Sequence, residues 1–210
     1  MIGGDDFKKN IAALYCKADR ELSNLKSVMD KFEILKNTEI KIQTLHKPPR
    51  GTRPGALGFW KNISEEHSEN SELFLIAVDS EDTFKSLAAL RTSFFGASEE
   101  NIQEISDSLD FVRRCQSELG AKWFLLKDKE IFVGEIGIVP FSFGSFRLGR
   151  LQDVEISPSF HGRGYGNQLL KLAFGKAQEM GLSALCLKAR PNDWTSSWYE
   201  RNGFFKIGTW

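Results

Sequence analysis

The chain has 210 residues, the size of one ordinary domain with an appendage, and is long enough to bury a sizeable core. Its 28 basic and 28 acidic residues balance, so no bulk basic field argues for a nucleic-acid partner. No apolar run approaches the roughly 18 residues of a membrane span, no signal peptide opens the chain, and three cysteines without metal-ligand spacing (Cys16, Cys115, Cys186) read as reduced thiols of a cytoplasmic protein with no bound metal.

Residues 5–36 carry an amphipathic pattern in which Tyr15, Ala18, Leu22, Leu25, Met29 and Phe32 recur by threes and fours. It is read as one or two helices laid against the rest of the chain, with a coiled-coil dimer seam as the alternative. Thr38–Leu45 alternates like a strand, and His46–Gly55, with three prolines, breaks regular structure. Residues 56–60 are short and aromatic, and read as a strand or a lid. His67 in the polar run 64–72, like His46, reads as a surface residue. A boundary near residue 71 then separates an N-terminal extension (1–71) from the main domain (72–210).

Leu73–Val78 is an apolar strand. Ser80 caps a helix with Phe84, Leu87, Leu90 and Phe94 on one face, stopped by Gly96; Ser98 caps a second with Ile102, Ile105, Leu109, Val112 and Cys115, ended by Gly120. Residues 121–127 and 131–139 form a hairpin across Asp128-Lys129-Glu130. Pro140–Gly149, with Phe141, Phe143 and Phe146, reads as a loop.

The next stretch, LQDVEISPSFHGRGYGNQLL from Leu151 to Leu170, is a strand stopped by Pro158, a glycine turn and a helix that runs to Gly181. Glycines at a helix mouth let the backbone approach a ligand, and the free N–H groups there attract anions. Gly166-Asn167-Gln168 lacks the Lys-Ser/Thr of an ATP loop, and Leu169 stands where a dinucleotide loop needs glycine. Residues 184–204, ALCLKARPNDWTSSWYERNGF, follow as a strand, a short helix bearing Tyr199, and Gly203-Phe204. Cys186, mid-strand with no nearby histidine, reads as core.

Together these two stretches resemble the GNAT (GCN5-related) N-acetyltransferase superfamily. His161, Gly164 and Gly166 fall on its pyrophosphate loop, with histidine where the family usually has Arg or Gln. Asn192, Thr195, Trp198, Tyr199, Gly203 and Phe204 fall on its second motif. The resemblance covers roughly residues 72–210 and implies an α/β (α+β) GNAT fold, a mixed sheet splayed at the cofactor-binding strand and flanked by helices. It implies acetyl-CoA as cosubstrate and direct transfer to an amine in a ternary complex. The backbone of Val154 and Ile156 would pair with the pantetheine arm, and His161, Gly162, Arg163, Gly164, Tyr165, Gly166 and Asn167 would hold the pyrophosphate. Asn192 would touch the arm, its other role being a helix N-cap. Asp153 and Glu155, alternating with Val154 and Ile156, are the candidate bases, with Asp153 slightly preferred; Tyr199 is the candidate acid. The acceptor would be a small-molecule or peptide amine, with no nucleic acid or membrane partner.

The family normally ends in a hairpin, and only six residues follow Phe204. The strand around Glu39–Thr44 is therefore expected to fill the gap, from the same chain or from a partner in a homodimer. The reading from another class is a non-catalytic acyl-CoA-binding module with a sensor or assembly role.

Overall fold

The computed structural model describes residues 57–63, 73–143, 146–189 and 193–209. The expected helices of 5–36, the strand around Glu39–Thr44, the boundary near residue 71 and Asn192 lie outside them. In chain order the elements are β1 (Leu57–Asn62), β2 (Leu73–Ala77), α1 (Glu81–Phe95), α2 (Glu99–Leu119), β3 (Lys122–Asp128), β4 (Ile131–Phe143) and β5 (Phe146–Ile156). A 3-10 turn (Pro158–Phe160), α3 (Tyr165–Glu179), β6 (Ala184–Ala189), α4 (Trp194–Arg201) and β7 (Phe205–Thr209) follow. They group into two compact units, one from Ile63 to Cys186, the other joining residues up to Asn62 with Leu187–Trp210.

In the first unit β2, β3, β4 and β5 form an antiparallel run, and β6 lies parallel to β5 after the α3 crossover. Both helices before β3 start at serine caps. Ser80 Oγ accepts the Thr83 N–H while Thr83 Oγ1 accepts the Ser80 N–H at 3.0 Å, a capping box with threonine in the usual Glu/Gln position. Gly120 ends α2 in the left-handed region at φ 67°. Phe84, Leu87 and Leu90 of α1 and Ile105, Val112 and Cys115 of α2 are buried. In β3 the consecutive residues Trp123–Leu126 are all buried, so both faces of that strand are covered. The Trp123 indole lies so close to Gly137 that a Cβ there would sit 2.5 Å from it, which fixes glycine at this point of β4.

The stretch 140–149, expected as a loop, is instead the far end of the β4–β5 hairpin, whose ladder runs on from Val139↔Arg150 to Phe143↔Phe146. Ile138 is the last β4 residue paired with β3. Beyond it β4 has a neighbour on one side only, so the missing N–H of Pro140 removes no ladder bond on the other.

In the second unit β1 pairs antiparallel with β7, from Leu57↔Thr209 to Trp60↔Phe205. Residues 57–60 are thus strand rather than lid, and give the last strand a partner. Lys61 Nζ donates to the Asn202 carbonyl at 2.9 Å, tying β1 to the end of α4, where Gly203 turns the chain at φ 80°.

Candidate active site

Strand β5 changes character midway. Its pairing with β6 covers Leu148, Gly149 and Arg150 and goes no further, while pairing with β4 continues to Ile156. From Leu151 on, its edge therefore has no β6 partner, the splay that the resemblance implied. On the β4 side the register jumps: Gly137 faces Gln152 but Glu135 faces Glu155, so β5 takes three steps to β4's two. This is a β-bulge. It is centred on Asp153, whose φ of 46° lies in the left-handed region, which costs a non-glycine residue about 1–2 kcal/mol.

A buried charge cluster surrounds the bulge. Arg91 on α1 is 4 % exposed and Glu135 on β4 1 %. The guanidinium grips Glu135 with Nε to Oε1 at 2.9 Å and Nη2 to Oε2 at 2.6 Å, and Nη2 also donates to Asp153 Oδ2 at 2.8 Å. Burial works against the Arg91 cation, but hydrogen bonds and charge from Glu135, with the charges of Asp153 and Glu155, outweigh it and hold its pKa above the ordinary value. Burial pushes Glu135 up, to about 7, against the downward pull of Arg91. The short two-pronged contact is that of an ionised pair.

A cavity of about 190 Å³ opens beside this cluster. Its wall holds Arg91, the carboxylates of Glu104, Glu135, Asp153 and Glu155, and the apolar side chains of Phe95 and Ile105. Both carboxylates proposed from sequence thus face one space, but they are not equivalent. Asp153 is engaged by Arg91. Among the described residues the Glu155 side chain has no hydrogen-bond partner. Burial, then the neighbouring Asp153 charge, raise its pKa, with Arg91 opposing. A carboxylate shifted toward neutrality and free to accept a proton suits a general base better than one locked to arginine. Asp153, the carboxylate slightly preferred from sequence, is thus the one held by Arg91. Cys115 on α2, buried and pushed up to about 12 by desolvation, carries no thiolate here.

Downstream of β5 the chain makes its glycine turn. Gly162 and Gly164 take φ of 75° and 83°, with open space where each Cβ would be. Gly164 starts α3 without a side-chain cap. Among the described residues, the N–H groups of Gly162, Arg163, Gly164, Tyr165 and Gly166 find no acceptor, whereas Asn167 donates to the Gly164 carbonyl at 3.1 Å. The free donors thus stop at Gly166, and the Asn167 N–H belongs to the helix. Open, unpaired amides at a helix mouth fit a pyrophosphate. His161 points elsewhere, its Nε2 donating to the Ile156 carbonyl at 2.7 Å, which fixes the proton on that nitrogen and ties the turn to the end of β5. The loop is braced by an edge contact of Phe160 with Tyr165 at 5.8 Å, by Arg163 stacked 5.4 Å over Phe160, and by the Tyr165 hydroxyl donating to Asp128.

In the second unit Tyr199 is buried on α4, with ring centroids 4.7 Å from Trp198 and 5.6 Å from Phe204. Burial pushes its phenol well above the ordinary value, so it keeps its proton at all working pH. The helix cap is Asp193, accepting from Thr195 N at 3.4 Å, which takes that role from Asn192. Sequence reasoning missed Arg91 and Glu135. A lone glutamate inside the apolar strand 131–139 was the available signal.

Among the described residues, a strand edge that β6 leaves unpaired is thus followed by a glycine turn of free amides. Residues 120–206 match a family profile described as an acetyltransferase (GNAT) domain. Among solved structures, a functionally unknown conserved protein from Staphylococcus epidermidis has a TM-score of 0.51 at 13% identity, over 72% of this chain and 57% of that one. This chain thus spans little more than half of that relative's length. A proposed acetyl transferase from Pyrococcus furiosus gives 0.50 at 20% identity, over 63% of this chain and 93% of that one. A proposed GNAT-family acetyltransferase from Desulfovibrio desulfuricans gives 0.50 at 15%, over 63% and 85%. At these identities the three show a shared fold. No curated protein matches the chain significantly. No helix among the described residues is long and apolar enough to cross a membrane.

Proposed function

We propose that this protein is an N-acetyltransferase that passes the acetyl group of acetyl-CoA directly to a primary amine of a small molecule or peptide, with Glu155 as general base. The observation that carries the reading is Glu155, a carboxylate of raised pKa on the cavity wall with no side-chain hydrogen bond among the described residues, on the stretch of β5 that β6 does not pair. Bound acetyl-CoA would supply the activated thioester. The amides of Gly162–Gly166 would hold its pyrophosphate, and the β5 backbone at Val154 and Ile156 would take its arm as a further strand, orienting the carbonyl.

An alkylammonium near pKa ~10.4 has no lone pair at neutral pH. Glu155 takes its proton on a carboxylate oxygen, and the surrounding acidic wall favours the cationic form on entry. Tyr199, whose phenol burial keeps protonated, would by the family resemblance be the acid for the departing sulfur, and Asn192 would contact the arm.

The test is calorimetric titration with acetyl-CoA, then release of free thiol across a panel of primary amines. Saturable binding with amine-dependent thiol release supports the reading. Binding without release for any amine would favour the non-catalytic module, and no binding at millimolar acetyl-CoA would end both.

A further inference from the structure

We infer that Arg91 is the positioning residue of this site: it clamps both sides of the β5 bulge, holding Asp153 in its left-handed turn and leaving the neighbouring Glu155 carboxylate engaged by no side chain among the described residues. The argument is geometric. A non-glycine residue at φ 46° in mid-strand is strained, and persists only where the surrounding structure holds it. The Asp153 carboxylate has one polar partner among the described residues, Nη2 of Arg91 at 2.8 Å. Arg91 is in turn anchored two-pronged to Glu135, the β4 residue at the near side of the register jump. One guanidinium therefore spans the strand that gains a residue and the strand that does not, from a helix outside both.

Burying an ion cluster seldom adds net stability over well-packed apolar side chains, so a role in fixing geometry accounts for this cluster better than strength does. Lysine offers a point charge and lacks the planar fork that meets Glu135 twice and Asp153 once. Whether the bulge serves acetyl-CoA rests on the function proposed above; the clamp itself does not.

The test compares the wild type with the neutral pair R91Q/E135Q, which avoids stranding a buried charge, and with the same pair carrying D153G. Backbone chemical shifts of residue 153, measured without ligand, report its conformational region. R91Q/E135Q is expected to move Asp153 from left-handed to extended, and to weaken acetyl-CoA binding about tenfold, the scale of coupling between contacting groups. Glycine adopts positive φ unaided, so adding D153G restores the left-handed shift and brings affinity back to within about threefold. Circular dichroism confirms that each variant is folded. A folded R91Q/E135Q whose Asp153 remains left-handed overturns the clamp, as does an affinity loss that D153G leaves unrepaired. Failure of the wild type to bind acetyl-CoA sinks the functional reading instead, and the ligand-free shifts still decide the clamp.

Discussion

The two ends of the splayed half of β5 handle charge in opposite ways. At the bulge, Arg91, Glu135 and Asp153 are tied together by side-chain hydrogen bonds of 2.6–2.9 Å. At the glycine turn the charge is only partial and belongs to the backbone, and among the described residues its donors are unspent. The first arrangement holds a shape; the second is left open for an anion. Between them stands Glu155. On the function proposed above, Glu155 does the chemistry and the turn does the binding, so a substitution that removes the base without disturbing the bulge should leave acetyl-CoA affinity intact.

The largest effect is expected from Glu155→Gln, which keeps the shape and removes the base. Amine-dependent thiol release should fall by about 10²–10⁴-fold, the range of general-base catalysis, with acetyl-CoA affinity within about twofold. Tyr199→Phe removes the proton held for the sulfur and should cost roughly 10²-fold in the same assay. Gly164→Glu does the reverse: a side chain at φ 83° and a negative charge among the free amides should weaken acetyl-CoA binding by at least about thirtyfold, or roughly 2 kcal/mol. A loss of affinity in the Glu155 variant equal to that of the Gly164 variant would erase the contrast.

A finer test concerns pH. Glu155 must be ionised to accept a proton, so activity should rise with pH through a midpoint above that of an ordinary glutamate, since burial and Asp153 raise its pKa. Asp153→Asn removes the like charge, and the midpoint should move to lower pH in a rate profile. An upward movement would mean that another group titrates. As a control on packing alone, Gly137→Ala forces a Cβ against the Trp123 indole and should destabilise the fold by about 1–3 kcal/mol in denaturant unfolding.

The same contrast explains what the sequence revealed. Gly162, Gly164 and Gly166 announce the turn because backbone geometry demands glycine, and such demands are written in residue type. Strands and caps were equally plain at Ser80, Ser98 and Gly120. The clamp was not, because Arg91 and Glu135 lie forty-four positions apart and meet only through packing. The bulge also escaped notice: one inserted residue leaves Asp153 and Glu155 apparently alternating with Val154 and Ile156, while the local φ changes sign. The stretch 140–149, read as a loop, is strand, and its Pro140 lies where β3 no longer pairs with β4.

The most direct test of the account is a paired measurement on wild type and Glu155→Gln: acetyl-CoA affinity by calorimetry, and thiol release with an amine that the wild type accepts. The account predicts matching affinities and a turnover lower by at least about a hundredfold in the variant. Equal turnover in the two proteins would contradict it, and would take the role of base away from the bulge.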